Sequence, residues 1–394
     1  MTPYSRFADG KAVLRSSIRE FVVSEYLNAI HIPTTRALSL VALPAQTALR
    51  ENGPEPCAVV GRFAESWVRF GTFDLLRRRG EHETLRKLAD YVYEEVLQLP
   101  AGLEGEEKYT KLYHEIVVRN ARTTALWQVY GFMNGVLNTD NTSILGLSLD
   151  FGPFAFMDVF DPAYTPNHDD HAGRYSYRTQ PTVIWWNIVR LGEDLAGLLA
   201  LPDGREPEGL EKEELEEFVA RAEKVIVGTG DIYKGEFMRA YEEAMAKRLG
   251  LREGRKEFFE ETMTLLEDAG LDMTRFFVAA GEGWLETLVE EADAGEKQGE
   301  VEAWAEKWKK VLEEQGVGEE ERLERMRAAN PKFVPRGWVL EEVINRVTKG
   351  DEAVLEEVMA CVASPFAPPA TPDAGRWCGP VPAEKAAMMC SCSS

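Results

Sequence analysis

The order of strand-like and helical patterns along the chain constrains the fold more than any other feature. Strand-like apolar runs occur at 36–43 and 58–63, in the first part of the sequence. From 180 to about 362 the chain has predominantly helical patterns instead. Early strands followed by a long series of helices predict an α+β fold with a mostly helical C-terminal extension.

Local patterns between these regions predict further elements. Apolar residues at helical spacing predict helices over 11–29, 73–97 and 109–137. The short apolar runs 144–149 and 154–157 are interpreted as the two strands of a small hairpin.

Composition limits the classes of function. The 394 residues include 67 Asp and Glu against 45 Lys and Arg, a formal net charge of -22. Nucleic-acid binding requires an excess of basic residues, so we expect no nucleic-acid partner. No stretch is apolar enough for a membrane-spanning helix, so we expect no membrane insertion. Most of the acid lies between 206 and 324, which is typical of solvated helix faces, although a partner surface stays open.

The five cysteines fall into two groups. Cys57 and Cys361 lie among apolar residues, which favours burial and low reactivity. Cys378, Cys390 and Cys392 lie in the last 17 residues. This distribution does not resemble the disulfide framework of a small secreted protein. It indicates an intracellular protein whose tail carries thiols.

The most informative segment contains Asp140 and Asn141, followed by Asp150 in an Asp-Phe-Gly sequence. Phosphoryl and nucleotidyl transfer need hard oxygen ligands for a metal and a carboxylate near the attacking hydroxyl. Protein kinases use a similar arrangement of base, metal-binding Asn and Asp-Phe-Gly. Spacing alone does not decide the matter, because Asp and Asn are also common in capped turns.

Three other charged residues are candidates for phosphate chemistry. Arg62 and Arg69 lie seven residues apart, and a guanidinium suits phosphate oxygens, although surface ion pairs are the commoner use of such residues. Glu20 lies in the middle of the first predicted helix, where it could pair with a phosphate-binding lysine or simply face solvent.

A histidine-containing loop spans 167–174 and reads Asn-His-Asp-Asp-His-Ala-Gly-Arg. Its two histidines and neighbouring carboxylates are the residue types of a transition-metal site. No cysteine or third histidine lies close by, which favours a hydrogen-bonded structural loop.

Several long strings of this sequence resemble the selenoprotein O (SelO, YdiU) family. The match covers nearly the whole chain and is weakest in the Glu-rich part. The strings that carry it lie at 2–21, 32–40, 138–154, 167–171, 180–181 and 330–332. Their number, length and order make the resemblance highly specific.

This resemblance implies a protein kinase-like fold and a protein adenylyltransferase, an enzyme that transfers AMP from ATP to Ser, Thr or Tyr hydroxyls of proteins. ATP is implied to bind in a flipped orientation, so that its α-phosphate meets the acceptor. By motif, Asp140 resembles the family's catalytic base. Asn141 and Asp150 resemble its ligands for Mg²⁺ or Mn²⁺.

The resemblance also implies nucleotide contacts. Asp9 and Gly10 look like nucleotide-binding residues, and Arg62 and Arg69 look like phosphate-binding arginines. Glu20 is similar to the helix glutamate that pairs with the ATP-binding lysine of the family.

Three departures from the family pattern accompany the resemblance. The family's Gly-rich loop and lysine precede the string that begins here at residue 2, so we expect an incomplete N-lobe, Glu20 without its lysine, and impaired activity. Asn134 stands where a histidine is expected before Gly135. The family often ends in a reactive selenocysteine or cysteine, here Cys392, and Cys390 lies two residues before it, so the tail thiols Cys378, Cys390 and Cys392 are candidate redox residues.

These observations predict four regions. Residues 1–99 are assigned to the remainder of a kinase-like N-lobe and 100–205 to the catalytic core, with a Gly- and Glu-rich hinge at 100–107. Residues 206–362 are assigned to a helical, Glu-rich extension and 363–394 to a flexible Cys-containing tail.

The alternative hypothesis is a catalytically inactive kinase-fold module that binds partners and carries a redox-active tail. The expected partners are ATP and protein substrates, with redox proteins as further candidates. The resemblance implies a mitochondrial location if the source is eukaryotic and a cytoplasmic one if it is bacterial.

Overall fold

The fold is described from a computed structural model, which covers residues 8–50, 53–201, 209–291 and 295–386. It contains two small antiparallel sheets and many helices, which confirms the α+β class. Among the described helices, none combines the length and apolar character that crossing a membrane would need.

The two sheets are antiparallel pairs of strands of very different length. Strands β1 (Arg36–Arg50) and β2 (Gly53–Phe63) pair from Arg36 opposite Phe63 to Arg50 opposite Gly53. Strands β3 (Phe132–Met133) and β4 (Ala155–Phe156) form only two residue pairs.

The described helices flank and follow these sheets. In chain order they are α1 (Leu14–Ala29), α2 (Phe70–Arg78), α3 (His82–Tyr91), α4 (Gly105–Tyr130), α5 (Gln180–Asp194), α6 (Ala196–Ala200), α7 (Lys212–Arg248), α8 (Lys256–Asp268), α9 (Met273–Glu282), α10 (Leu285–Glu291), α11 (Gln298–Glu314), α12 (Glu319–Ala329), α13 (Gly337–Thr348), α14 (Ala353–Ala363) and α15 (Pro372–Trp377).

Two hydrophobic clusters hold these elements together. The larger one joins α1, α4, α5, α13 and α14 around fully buried residues such as Ile18, Tyr113 and Trp338. The second lies mainly in the extension, where Phe276, Trp304 and other aromatic rings pack together, and it also includes Met133. Burial of this aromatic surface is the main favourable term in folding such a helical region.

Two buried arginines of the helical extension bind backbone carbonyls of residues 100–205. Arg248 Nη1 donates to the Val129 carbonyl near the end of α4 at 2.5 Å, and its Nε donates to Asn330 Oδ1 at 2.9 Å. Arg336 donates to both carboxylate oxygens of Asp272, at 2.7 and 2.8 Å, and to the Met157 carbonyl at 3.4 Å. These bonds satisfy carbonyls that would otherwise be buried without donors.

The helix predicted over 109–137 is too long. In the structure α4 ends at Tyr130, because Gly131 adopts a left-handed conformation with φ 67° and its amide donates to the Trp127 carbonyl. Glycine adopts this conformation without steric cost and is common at the end of a helix. The chain then turns into β3.

The predicted hairpin of 144–149 with 154–157 is also wrong. Residues Ala155 and Phe156 pair with Phe132 and Met133 instead. The run at 144–149 is held by single contacts, including a parallel bridge between Thr34 and Ser148. Most of its apolar side chains are buried, although the run has no strand partner. Periodicity alone cannot distinguish such a buried run from a strand.

The tail predicted to be loose from residue 363 has ordered structure over part of its length. Helix α15 begins after Thr371, whose Oγ1 accepts a hydrogen bond from the Ala374 amide at 3.1 Å. Trp377 at its end is 1% exposed and belongs to the larger cluster. Residues 387–394 lie outside the described residues, and the other domain boundaries remain predictions.

A buried carboxylate links α2 to α5. Asp194 Oδ1 accepts a hydrogen bond from Arg77 Nε at 2.6 Å, while Asp194 Oδ2 is buried without a hydrogen-bond partner among the described residues. Burial raises the pKa of Asp194 to about 7, although Arg77 opposes this shift. The folded protein therefore binds this proton more tightly than the unfolded chain does.

We expect Asp194→Asn to stabilise the protein relative to wild type as the pH rises. Tighter proton binding at Asp194 stabilises the folded protein. This stabilisation is fully present below the unfolded pKa near 4 and is lost as the pH rises through the folded pKa of about 7. The difference in free energy of unfolding between variant and wild type should grow by on the order of 2–4 kcal/mol between about pH 4 and pH 8. Urea unfolding across this range measures it, and two parallel pH profiles would contradict the prediction.

Candidate active site

The segment with Asp140 and Asn141 is a tight turn held by its own polar side chains. Asn138 caps a 3₁₀ turn over 139–141, and its Oδ1 accepts from the Asn141 amide at 2.9 Å. The Asn141 Nδ2 donates to the Val136 carbonyl at 2.9 Å. This bond occupies the side-chain Nδ2 of Asn141. The side-chain Oδ1 is therefore the atom left to accept a hydrogen bond or bind a cation.

Asp140 lies against the first turn of α2. The Asp140 Oδ1 lies only 2.0 Å from the place where a β-carbon on Gly71 would stand. Arg69 precedes this helix, and its Nη1 donates to the Asp140 carbonyl at 3.1 Å. Phe70 also donates its amide to the Thr142 carbonyl at 3.0 Å. The helix therefore fixes the position of Asp140 from one side, and only glycine at position 71 permits it.

Asp150 has an unusual backbone conformation. Its φ is 60°, one of three positive φ values among non-glycine residues of the described chain. Asn134 Nδ2 donates to the carbonyls of Leu149 and Asp150, both at 3.1 Å. Asp and Asn tolerate the left-handed region better than most residues, yet it still carries strain, which is common where function requires a set orientation.

Glu20 accepts a hydrogen bond from Phe151, the residue after Asp150. Its Oε1 accepts from the Phe151 amide at 2.9 Å, and its Oε2 lies 2.6 Å from Arg62 Nη1. Burial raises the pKa of Glu20, Arg62 lowers it and the carboxylate of Asp150 raises it further. Glu20 was expected to lack a lysine partner, and the structure gives it an arginine.

Arg62 is enclosed on several sides. Besides Glu20, it donates to Thr35 Oγ1, and its guanidinium lies 5.6 Å from the Trp67 ring and 5.3 Å from the Phe151 ring. Its Nε is buried without a hydrogen-bond acceptor among the described residues. This arginine therefore has a donor left unsatisfied at the site.

The structure brings most of the predicted residues together. Asn134 donates to the Asp150 carbonyl and accepts from the Val136 amide, and the Val136 carbonyl accepts from Asn141 Nδ2. Glu20 connects the Asp150 segment to Arg62. Arg69 joins through Asp140.

Asp9 and Gly10 do not contact these residues within the described part of the chain. Asp9 accepts from Arg50 at 2.8 Å, at the end of the β1–β2 pair opposite Arg62. Arg50 lowers the pKa of Asp9 to about 2. Gly10 has a φ of 71°, which suits a turn next to Asp9.

Sequence reasoning missed three buried amides that hold the site. Gln180 bridges the Phe132 carbonyl and the Asn134 amide, at 2.9 and 3.1 Å. Asn187 donates to the Leu137 carbonyl and Thr142 Oγ1, and Asn120 donates to the Ser143 carbonyl. A polar residue on the apolar face of a helix was the signal that could have found Asn187.

The histidine loop is held by hydrogen bonds. Asp170 accepts from the amides of Arg174 and Tyr175, at 3.0 and 2.7 Å, and His168 lies 2.8 Å from Asp169. Asn167 donates to the Gly135 carbonyl at 3.2 Å. The described residues contain no group of three or more His, Cys, Asp or Glu placed to hold a metal. The arrangement is that of a structural loop beside the site.

Of the three tail thiols, only Cys378 lies within the described residues. It is a free cysteine, partly buried, and burial raises its pKa to about 11. A raised pKa keeps the thiol protonated and weakens it as a nucleophile. Cys390 and Cys392 lie outside the described residues.

Comparison with known proteins identifies the family of the chain. The model of the family described as "Protein adenylyltransferase SelO" matches residues 1–362. The chain belongs to the SelO family. It is therefore a member of a nucleotidyltransferase family, as its sequence predicted.

Individual members of the SelO family match over most of their length. "Protein adenylyltransferase SelO, mitochondrial" of Schizosaccharomyces pombe is 40% identical over 427 residues, with 100% of this chain and 74% of the relative covered. "Protein nucleotidyltransferase YdiU" of Chromohalobacter salexigens is 39% identical, again with 100% and 74% covered. The mitochondrial SelO protein of Saccharomyces cerevisiae is 35% identical, with 88% and 67% covered.

Proposed function

We propose that this chain transfers AMP from ATP to Ser, Thr or Tyr hydroxyls of proteins, on a protein kinase-like fold. The observation that carries the proposal is the series of hydrogen bonds from the Asp150 carbonyl through Asn134 and Val136 to Asn141, the neighbour of Asp140, in a member of a nucleotidyltransferase family. The side chains of Asp140, Asn141 and Asp150 supply one carboxylate for the acceptor and two oxygen ligands for a cation.

The proposed reaction forms one bond to the α-phosphorus, breaks another, and moves one proton. The acceptor hydroxyl attacks the α-phosphorus of ATP, and its proton passes to the Asp140 carboxylate. The bond between the α-phosphorus and the oxygen that bridges to the β-phosphate breaks, and pyrophosphate leaves with the bond electrons. The product is a phosphodiester that joins AMP to the protein. Asp140 is exposed, which leaves room for a protein acceptor.

The residues at the site fit Mg²⁺ or Mn²⁺. Asn141 offers Oδ1, because its Nδ2 is occupied by the Val136 carbonyl, and Asp150 offers an exposed carboxylate. Magnesium prefers oxygen ligands and commonly takes only one or two protein ligands beside substrate phosphates. When bound, the cation would neutralise charge on the phosphates during transfer.

We assign the phosphate contacts to the two arginines. Arg69 is exposed and fixed beside Asp140, and Arg62 has an unsatisfied Nε. Glu20 is proposed to orient Arg62 and the Phe151 amide. Asp9 and Gly10 stay proposed nucleotide contacts, although their described partners lie at the far end of the β1–β2 pair.

A second candidate function is a binding module without transfer activity. It is favoured by the contacts of Arg62, which already satisfy much of its donor capacity with Glu20 and Thr35. Its proposed redox tail would use Cys390 or Cys392 rather than Cys378, whose pKa is raised. Calorimetry with ATP and magnesium discriminates, because clear binding opposes this candidate.

We propose ATP and acceptor proteins as partners. We propose a mitochondrial location if the source is eukaryotic, because two yeast relatives are named as mitochondrial. A cytoplasmic location is proposed if the source is bacterial, from the sequence resemblance alone.

The decisive test compares ATP labelled on the α-phosphate with ATP labelled on the γ-phosphate. We expect the chain with magnesium to place α-label but not γ-label on protein, and Asp140→Asn to reduce this by on the order of 10²–10⁴-fold. Asp169→Asn, a change of another exposed carboxylate, serves as the control. Label from the γ-phosphate would indicate a kinase, and absence of both labels would favour the binding module.

A further inference from the structure

A basic and aromatic surface lies beside the candidate active site and has no role in the proposed chemistry. Arg174 lies with its guanidinium 5.2 Å from the Trp186 ring and 5.6 Å from the Tyr175 ring. The Arg190 guanidinium lies 5.9 Å from the centre of the Trp186 ring. We call these four residues the Arg174–Trp186 patch.

Arg174 and Trp186 of the patch are exposed. Trp186 is 47% exposed, a large exposed fraction for this residue type. Arg174 is also exposed, and in the described part of the chain its side chain has aromatic contacts but no carboxylate partner. A guanidinium stacked on a ring keeps its N–H edge free, and little further side-chain entropy is lost when it binds a carboxylate. Arg190 is already paired with Glu193.

The charge around the patch differs from that of the rest of the protein. From residue 171 to 192 the sequence has three arginines and no Asp or Glu, although the whole chain carries a net charge of -22. The nearest carboxylate on the loop, Asp170, is occupied by the amides of Arg174 and Tyr175. An acidic segment would therefore be repelled by most of the surface and attracted here.

Hydrogen bonds from Asn187 and Asn167 fix the patch relative to the turn at 139–141, which carries Asp140. Asn187, next to Trp186 on α5, donates to the Leu137 carbonyl and Thr142 Oγ1, on either side of Asp140. Asn167, at the start of the loop that leads to Arg174, donates to the Gly135 carbonyl. A helix is about 10 Å across, which places the patch on the order of 10–15 Å from the turn. An extended peptide covers this with about three to five residues.

We infer that the Arg174–Trp186 patch docks an acidic segment of the acceptor protein, with Asp or Glu side chains about three to five residues from the modified hydroxyl. This rests on the proposed function, because it is that function which requires a protein acceptor. Arg174 binds the carboxylate, and Trp186 holds Arg174 in place and contributes apolar area.

Binding of labelled peptides tests the patch without requiring transfer. One fluorescein-labelled peptide carries Ser with Glu residues at these distances, and a second carries Lys at the same positions. We expect fluorescence anisotropy to show tighter binding of the Glu peptide, a loss of about 10-fold or more in Arg174→Glu, and a smaller loss in Trp186→Ala. Added salt should weaken the binding.

The control variant reverses the charge of an arginine elsewhere on the surface. Arg255 forms an exposed pair with Glu314 at 3.3 Å, and Arg255→Glu is expected to bind the Glu peptide like wild type. Thermal melting checks the fold of each variant, and Arg174→Gln provides a milder second change.

Several outcomes would overturn the docking site: equal binding of both peptides, unchanged binding in Arg174→Glu and Arg174→Gln, or tighter binding of a phosphopeptide or of single-stranded RNA than of the Glu peptide. Failure of the proposed function would give a different result. Wild type would then bind the Glu peptide selectively but transfer no α-label. Transfer without that selectivity would remove the docking site alone.

Discussion

Asp150→Asn is expected to remove AMP transfer, by on the order of 10³-fold or more, while leaving the stability of the protein nearly unchanged. The variant loses the charge that would bind the cation. It keeps a residue type that tolerates the left-handed conformation, here φ 60°. Transfer of α-label measures activity, and urea unfolding measures stability.

Asp150→Ala separates charge from backbone conformation. It should lose transfer to the same degree, and because alanine adopts positive φ less readily it should also lose about 1 kcal/mol of stability. Asp169→Asn removes a carboxylate that faces solvent beside His168 and should keep wild-type activity. Substantial transfer by Asp150→Asn would remove the metal-binding role assigned to this residue.

Gly71→Ala is expected to reduce transfer by about 10²-fold, the cost of displacing a catalytic group by roughly 1 Å. A β-carbon at this position would lie 2.0 Å from Asp140 Oδ1 and 2.9 Å from Asp140 Cγ, so the carboxylate or the helix must move. Titration calorimetry with ATP should show that nucleotide binding is largely kept, because no phosphate contact is assigned to either residue.

The same substitution elsewhere provides the control. Gly228 lies exposed on α7, and a β-carbon there would have nothing within 4 Å. Gly228→Ala should keep full transfer and gain up to about 1 kcal/mol of stability from its higher helix propensity. Equal activity of both alanine variants would show that Asp140 does not depend on the space at Gly71.

The sequence predicted elements whose signals are local. The α+β class, the first helix and the runs that became β1 and β2 followed from periodicity, although β1 extends to Arg50 rather than stopping near 43. The end of α4 was misplaced because Phe132 and Met133 continue the apolar pattern. Gly131 was the local signal of the true end, and its left-handed conformation decides the boundary.

What the sequence could not predict are contacts between distant residues. The pairing of β3 with β4 joins residues more than twenty positions apart, and nothing in either short run selects the other. The same is true of the pair between Glu20 and Arg62, and of Gln180, which reaches back to Asn134. Candidate site residues came from motif resemblance, whereas the amides that hold them became visible only in three dimensions.

The two buried arginines, Arg248 and Arg336, bear on how this protein can be dissected. Both lie within the helical extension assigned to 206–362, yet they bind the Val129 and Met157 carbonyls, which precede it in the chain. A fragment ending near residue 201 would leave those oxygens without donors and would uncover apolar side chains such as Met133. The acidic helices therefore form part of the scaffold of the site, and a minimal catalytic fragment has to include them.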